Sequence, residues 1–239
     1  MPAIANPVLL ALESTGAICG VALAQGDTLL GSVRLRHGLN LSGNLLRATD
    51  WLLQRHQLHL EQVDAFAVDT GPGSFTGLKI GVMLAKTWAQ ALEKPLIGVS
   101  AFEACAALAP EGTPLLVALP ARRDALYVQL LPPRGLDARA AIASPPAMVK
   151  QSHLPEWLGR LLEGGELSQK LLVMGVAQAR EWLLPLLPDA LFQLVECPEP
   201  EGVARAGWRC FQRGETVHPF SLTPLYIQPP SITPPRANR

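Results

Sequence analysis

The run Gly71-Pro72-Gly73-Ser74-Phe75-Thr76-Gly77 constrains this chain more than any other stretch. Before it, Val63 to Val68 is a short apolar run that reads as a buried strand. After it, residues to about Leu92 carry helical periodicity, so the glycines join a strand end to a helix start. Gly71 and Gly73 open backbone angles closed to other residues, and Pro72 fixes its own φ. Ser74 or Thr76 is placed to cap the new helix. Such a joint either cradles an anion on the free N–H groups and helix dipole or is a tight, well-capped connection. It is neither a P-loop, since Gly77 is followed by Leu78 and then Lys79, nor a Gly-x-Gly-x-x-Gly dinucleotide loop.

Strands are expected at Pro7 to Glu13, Ile18 to Gln25 and Thr28 to Leu35, with Gly26-Asp27 as a turn between the last two. A helix follows from about Leu39 to Gln54. Leu41, Leu45, Ala48 and Leu52 form one apolar stripe, and Leu39, Leu46 and Leu53 a second. The helix after the glycine loop is similarly doubled: Leu78, Val82, Ala85, Ala89 and Leu92 on one face, Ile80, Leu84, Trp88 and Ala91 on another. A helix resting on a sheet needs one stripe. The second stripes either pack these helices on each other or bury against another subunit.

Further on, Leu96 to Ser100 reads as a strand and Ala101 to Ala109 as a helix. Pro110 to Pro114 reads as a boundary, dividing a first lobe (1–109) from a second (110–218). The second lobe is expected to hold strands at Leu115 to Leu119, Ala125 to Leu131 and Leu171 to Met174. Helices are expected near Pro155 to Leu162, Ala177 to Leu187 and Gly202 to Arg213, the last one packing back on the first lobe. Residues 219–239 read as a proline-rich extended tail.

Composition narrows function. Charged residues make up 17% of the chain against about 25% in an average domain, which predicts apolar surface covered by a partner. Twenty basic and twenty acidic residues cancel, which argues against a phosphate-coating nucleic-acid binder acting alone. Cys19, Cys105, Cys197 and Cys210 form no C-x-x-C pair, so a reducing cytoplasm is the simpler expectation. Glu13 interrupts the first apolar run, and neither a signal peptide nor a membrane span is expected. The five histidines show no ligand spacing and no metal is expected. The absence of a G-x-S-x-G elbow argues against a serine hydrolase. Arg122-Arg123 either pair with nearby acids or meet a partner or RNA phosphate.

Three stretches together resemble the TsaB family. They are Leu10 to Thr15 running into Cys19 to Leu23; Asp64 through Gly71 to Gly81 and on to Ser100; and Ala121 to Tyr127, with a weaker echo at Pro224 to Ile227. The resemblance covers the first ~110 residues well. It implies an α/β fold of two lobes, actin-like or Hsp70-like, each lobe a mixed sheet with helices. It also implies a non-catalytic subunit that pairs with the paralogue TsaD. With the ATPase TsaE, that pair forms threonylcarbamoyladenosine at position 37 of ANN-decoding tRNAs, and tRNA is contacted only through the complex. On that reading Leu39, Leu46, Leu53, Ile80, Leu84 and Trp88 face TsaD, or a second copy in a homodimer, and no catalytic residue, cofactor or membrane is involved. Glu13, Ser14, Thr15, Gly71, Gly73, Ser74 and Thr76 are the candidates for a vestigial nucleotide site, the rival being a weak ATPase or phosphotransferase using ATP and Mg²⁺. Three departures from the family stand out. Glu13 replaces an aspartate, Pro120 stands where an aspartate precedes Ala-Arg-Arg, and the stretch His37 to Asn44 differs. The first two argue against phosphate or Mg²⁺ handling.

Overall fold

The computed structural model describes residues 6–36, 38, 40–133, 143–162, 171–196 and 198–227. Its elements alternate so that one topology occurs twice. The first sheet contains β1 (Val8–Glu13), β2 (Ile18–Gln25), β3 (Thr28–Arg36), β4 (Ala65–Asp69) and β5 (Leu96–Val99), in the order β3-β2-β1-β4-β5. The second contains β6 (Leu115–Arg122), β7 (Ala125–Leu131), β8 (Ala147–Lys150), β9 (Leu172–Gly175) and β10 (Leu191–Leu194), in the order β10-β9-β6-β7-β8. In each, a three-stranded antiparallel meander is extended by two parallel strands beside the first strand. Short turns join the strands of the first meander and join β6 to β7, a longer connection leads from β7 to β8, and the parallel strands follow from intervening helices, which such crossovers require. The expected two-lobed α/β architecture is what the chain adopts.

Helices cover both faces of both sheets. α1 (Leu41–Arg55) and α2 (Phe75–Ala91) lie on one face of the first sheet, packing Leu45, Leu52, Val82 and Ala85 onto Leu10, Leu12, Val21 and Phe66. α4 (Leu154–Leu162) and α5 (Ala177–Leu183) occupy the equivalent face of the second. The remaining helices are exchanged. α3 (Ala101–Leu108) follows the first sheet, yet buries Phe102 and Cys105 against Leu115, Val117 and Met174 of the second. α6 (Pro200–Gln212) follows the second sheet and buries Val203, Ala204 and Ala206 against Leu9, Ala11 and Ala67 of the first. The two helices cross so closely that a Cβ on Gly202 would stand 2.2 Å from the Ala104 carbonyl oxygen, so only glycine fits.

The chain beyond α6 also returns to the first lobe. Val217 N donates to Leu96 O, Leu222 is buried in that lobe's core, and Leu225 N donates to Thr70 O. The helix boundaries match the sequence reading closely, but β8 and β10 are additional edge strands in stretches to which the sequence reading assigns no element. β6 runs past Leu119 through Pro120, and the proline is tolerated because β9 pairs only with Leu115 to Ala118. Of the proline-rich tail, 228–239 lie outside the described residues.

Candidate functional site

Two places carry the residues singled out by sequence: the junction of the two N-terminal loops and the outer face of α1 and α2. At the junction, Glu13, Ser14 and Thr15 follow β1 and meet the glycine loop directly. Ser74 N donates to Thr15 O at 2.8 Å, and Ser14 Oγ donates to Gly77 O at 2.9 Å. Ser74 caps α2 by accepting from Gly77 N at 3.3 Å, and Thr76 is exposed. A Cβ on Gly77 would lie 1.9 Å from Ser14 O; one on Gly73 would lie 2.5 Å from Thr15 Cβ. The glycines therefore permit contact between two loops, and Gly71 supplies a φ of +100° that other residues resist. The N–H groups of Gly71, Ser74 and Gly77, candidate donors for an anion, already have acceptors inside the chain.

Asp69, at the end of β4, was not among the sequence candidates, yet it completes this junction. Its Oδ1 accepts from Gly71 N at 2.6 Å, and Thr15 Oγ1 lies 3.5 Å from Oδ2. Thr15 N and Oγ1 also donate to Glu13 Oε1, at 2.6 and 2.7 Å. Both carboxyl groups are fully buried. Burial first, then the neighbouring Glu13 charge and a hydrogen bond with it, hold the Asp69 carboxyl well above the usual carboxylate range. Two acids sealed together resist both ionising, so the Glu13–Asp69 pair favours one shared proton. An acid closing an otherwise apolar strand two residues before a glycine is the available sequence signal.

The helix face is different in kind. Leu46 on α1 is 47% exposed and Met83 on α2 is 62% exposed, with Ile80 and Leu84 half-buried beside Met83. An apolar groove of about 680 Å³ runs along α2, walled by Ile80, Met83, Leu84, Leu222, Pro224 and Tyr226, with Ser42 of α1 at its edge. Lys86 Nζ donates to Leu222 O, and Tyr226 packs on Phe75 with centroids 5.6 Å apart, so the C-terminal segment forms one wall. Two expected docking residues are corrected by the fold. Leu53 (5% exposed) sits in the core, and Trp88 (9%) packs on Phe66 at 5.8 Å between ring centroids. Neither is available to a partner. Leu39 lies outside the described residues. Met83, Phe75 and Tyr226 replace them on the surface; Phe75 and Met83 lie outside the two stripes read from the sequence.

Among the described residues there is no cluster of three or more His, Cys, Asp or Glu side chains, and no helix is long and apolar enough to cross a membrane. Burial raises the Cys19 thiol and pushes that of Cys210 up to about 11, so neither is a ready thiolate. The Arg123 carbonyl accepts from Gln178 Nε2, and the Arg123 side chain is exposed.

Comparison with known proteins gives a consistent picture. Residues 39–149 match the family described as TsaD, tRNA N6-adenosine threonylcarbamoyltransferase. The tRNA threonylcarbamoyladenosine biosynthesis protein TsaB of Bacillus subtilis is 34% identical over 99 residues, 41% of this chain and 43% of the relative. The protein of the same description from Haemophilus influenzae is 34% identical over 127 residues, 51% of this chain and 52% of the relative. The chain thus spans about half the length of the curated relatives it matches. A solved Pseudomonas aeruginosa structure, described as an uncharacterized protein with similarity to peptidase YEAZ, superposes with a TM-score of 0.78 at 24% identity. It covers 93% of this chain and 100% of its own, and shows the fold to be shared.

Proposed function

We propose, on the premise that this chain is a member of the TsaB family, that it is a non-catalytic subunit in threonylcarbamoyladenosine formation on tRNA. It docks a TsaD-type transferase on the outer face of α1 and α2, with TsaE joining the complex and tRNA bound only through it. A homodimer through the same face competes with that docking.

One observation carries this reading: the open apolar groove along α2, with Leu46 exposed on the adjoining helix. Exposed apolar surface that a partner covers is what a docking subunit requires. The loop junction supports the non-catalytic half of the reading. The N–H groups of Gly71, Ser74 and Gly77 already donate to Asp69, Thr15 and Ser74, which leaves fewer donors for a phosphate at this turn. The rival, a weak ATPase or phosphotransferase, would need those bonds to open.

Co-purification with TsaD tests the proposal. Leu46→Asp with Met83→Asp changes two exposed positions, so the fold should survive while binding weakens by about a hundredfold or more. Undiminished capture of TsaD by the folded double variant would refute this docking face. Calorimetry of the wild-type chain with ATP and Mg²⁺ decides the rival: micromolar binding lost in Gly73→Ala would favour it.

A further inference from the structure

The chain as a whole is neutral, with twenty basic and twenty acidic residues, but α1 and α2 are not. Between them they carry Arg47, Arg55, Lys79 and Lys86 against a single acid, Asp50. Just past α2, Glu93 and Lys94 offset each other, and the stretch from Ser221 to Ile227, which walls the groove, has no charged residue. The docking helices are therefore a positive patch on a neutral chain.

Two of the four bases border the groove itself. Lys79 Nζ stands 4.2 Å from the centroid of the Phe75 ring, and Lys86 Nζ donates to Leu222 O at 3.1 Å. An aromatic ring and a carbonyl oxygen orient an ammonium group without cancelling its charge. No carboxylate lines the groove, and the rest of its lining is neutral. It is an apolar surface with two positive charges held at its border.

Charge of one sign has opposite consequences for the two associations open to this face. A two-fold homodimer brings the patch against itself, so Lys79 and Lys86 of each copy approach an equally positive surface. Asp50 is the one acid that α1 and α2 can offer in return. Like charges set across an interface disfavour it, whereas opposite charges speed encounter and fix register. We propose that this patch selects against self-pairing and for a partner whose docking helices carry an excess of Asp and Glu around an apolar stripe. The proposal rests on the docking reading above and adds the chemistry of the partner's surface. Apolar contact supplies affinity that either partner can use, and the lysines decide which one prevails.

Sedimentation of the full-length chain, alone and with TsaD, from about 0.05 to 0.5 M NaCl separates the two contributions, because salt screens charge and leaves apolar contact in place. The two associations should respond with opposite sign: TsaD binding weakens about tenfold across the range, and self-association strengthens. Lys79→Gln/Lys86→Gln should weaken TsaD binding at low salt, strengthen the homodimer and flatten both responses. Lys79→Arg/Lys86→Arg keeps the charge and should behave like the wild-type chain. Salt-independent capture of TsaD, or self-association no stronger in the glutamine variant, overturns the proposal and leaves the docking face standing. Failure to capture TsaD at any salt defeats the docking reading, and this inference with it. Should the glutamine variant melt early through loss of the Leu222 contact, Lys79→Gln alone replaces it, with the same signs and smaller effects.

Discussion

The loop junction and the α2 groove share one helix and invert expectation. The junction looks like a ligand site in sequence, yet its polar groups bond to one another and its glycines admit neighbouring backbone rather than solvent. The groove looks like ordinary amphipathic helix, yet it is open and apolar. Polarity alone therefore does not separate the two places; whether the chain already supplies a partner for each group does. The junction is satisfied within the chain, and the groove is not.

The contrast can be broken most forcefully at Gly77. Gly77→Ala drives a Cβ against the Ser14 carbonyl oxygen, and denaturant unfolding should show a loss of about 3 kcal/mol or more. Next comes the inward stripe. Leu53→Ala empties core volume and should cost about 2–4 kcal/mol in the same assay. A third test is of pH. Because the folded chain holds the Asp69 carboxyl well above its ordinary range, the native state keeps a proton that the unfolded chain releases. That contribution is fully present below about pH 4, the unfolded value, and is lost as pH rises through the folded value. Asp69→Asn should flatten that decline in a series of unfolding curves, while an unchanged slope would mean the carboxyl is not held protonated. The smallest effect belongs to the open side: Leu46→Ala should shift stability by no more than about 0.5 kcal/mol, since the side chain packs little in the isolated chain.

The sequence made most of the first lobe legible because its strands are continuous apolar runs and its turns carry glycine. The missed strands, β8 and β10, are four residues each at sheet edges, and three of the four β10 residues are exposed, so no apolar alternation announced them. Trp88 was misread because its spacing from Leu84 suits an outward stripe; the Phe66 ring beneath draws it inward. Asp69 was passed over because its role depends on Glu13, distant in sequence and adjacent only once β1 and β4 pair. The groove's second wall was equally hidden. Leu222, Pro224 and Tyr226 come from the far end of the chain and reach α2 only after α6 has crossed back to the first sheet.

The central claim is that the α1–α2 face is surface awaiting a protein partner. Amide hydrogen exchange of the wild-type chain, alone and with saturating TsaD, addresses it without altering a residue. The account predicts added protection concentrated in Leu41–Arg55, Phe75–Ala91 and the segment from Leu222 to Tyr226, with α4 and α5 unchanged. Protection confined to the second lobe, with both first-lobe helices exchanging as in the free chain, would contradict it.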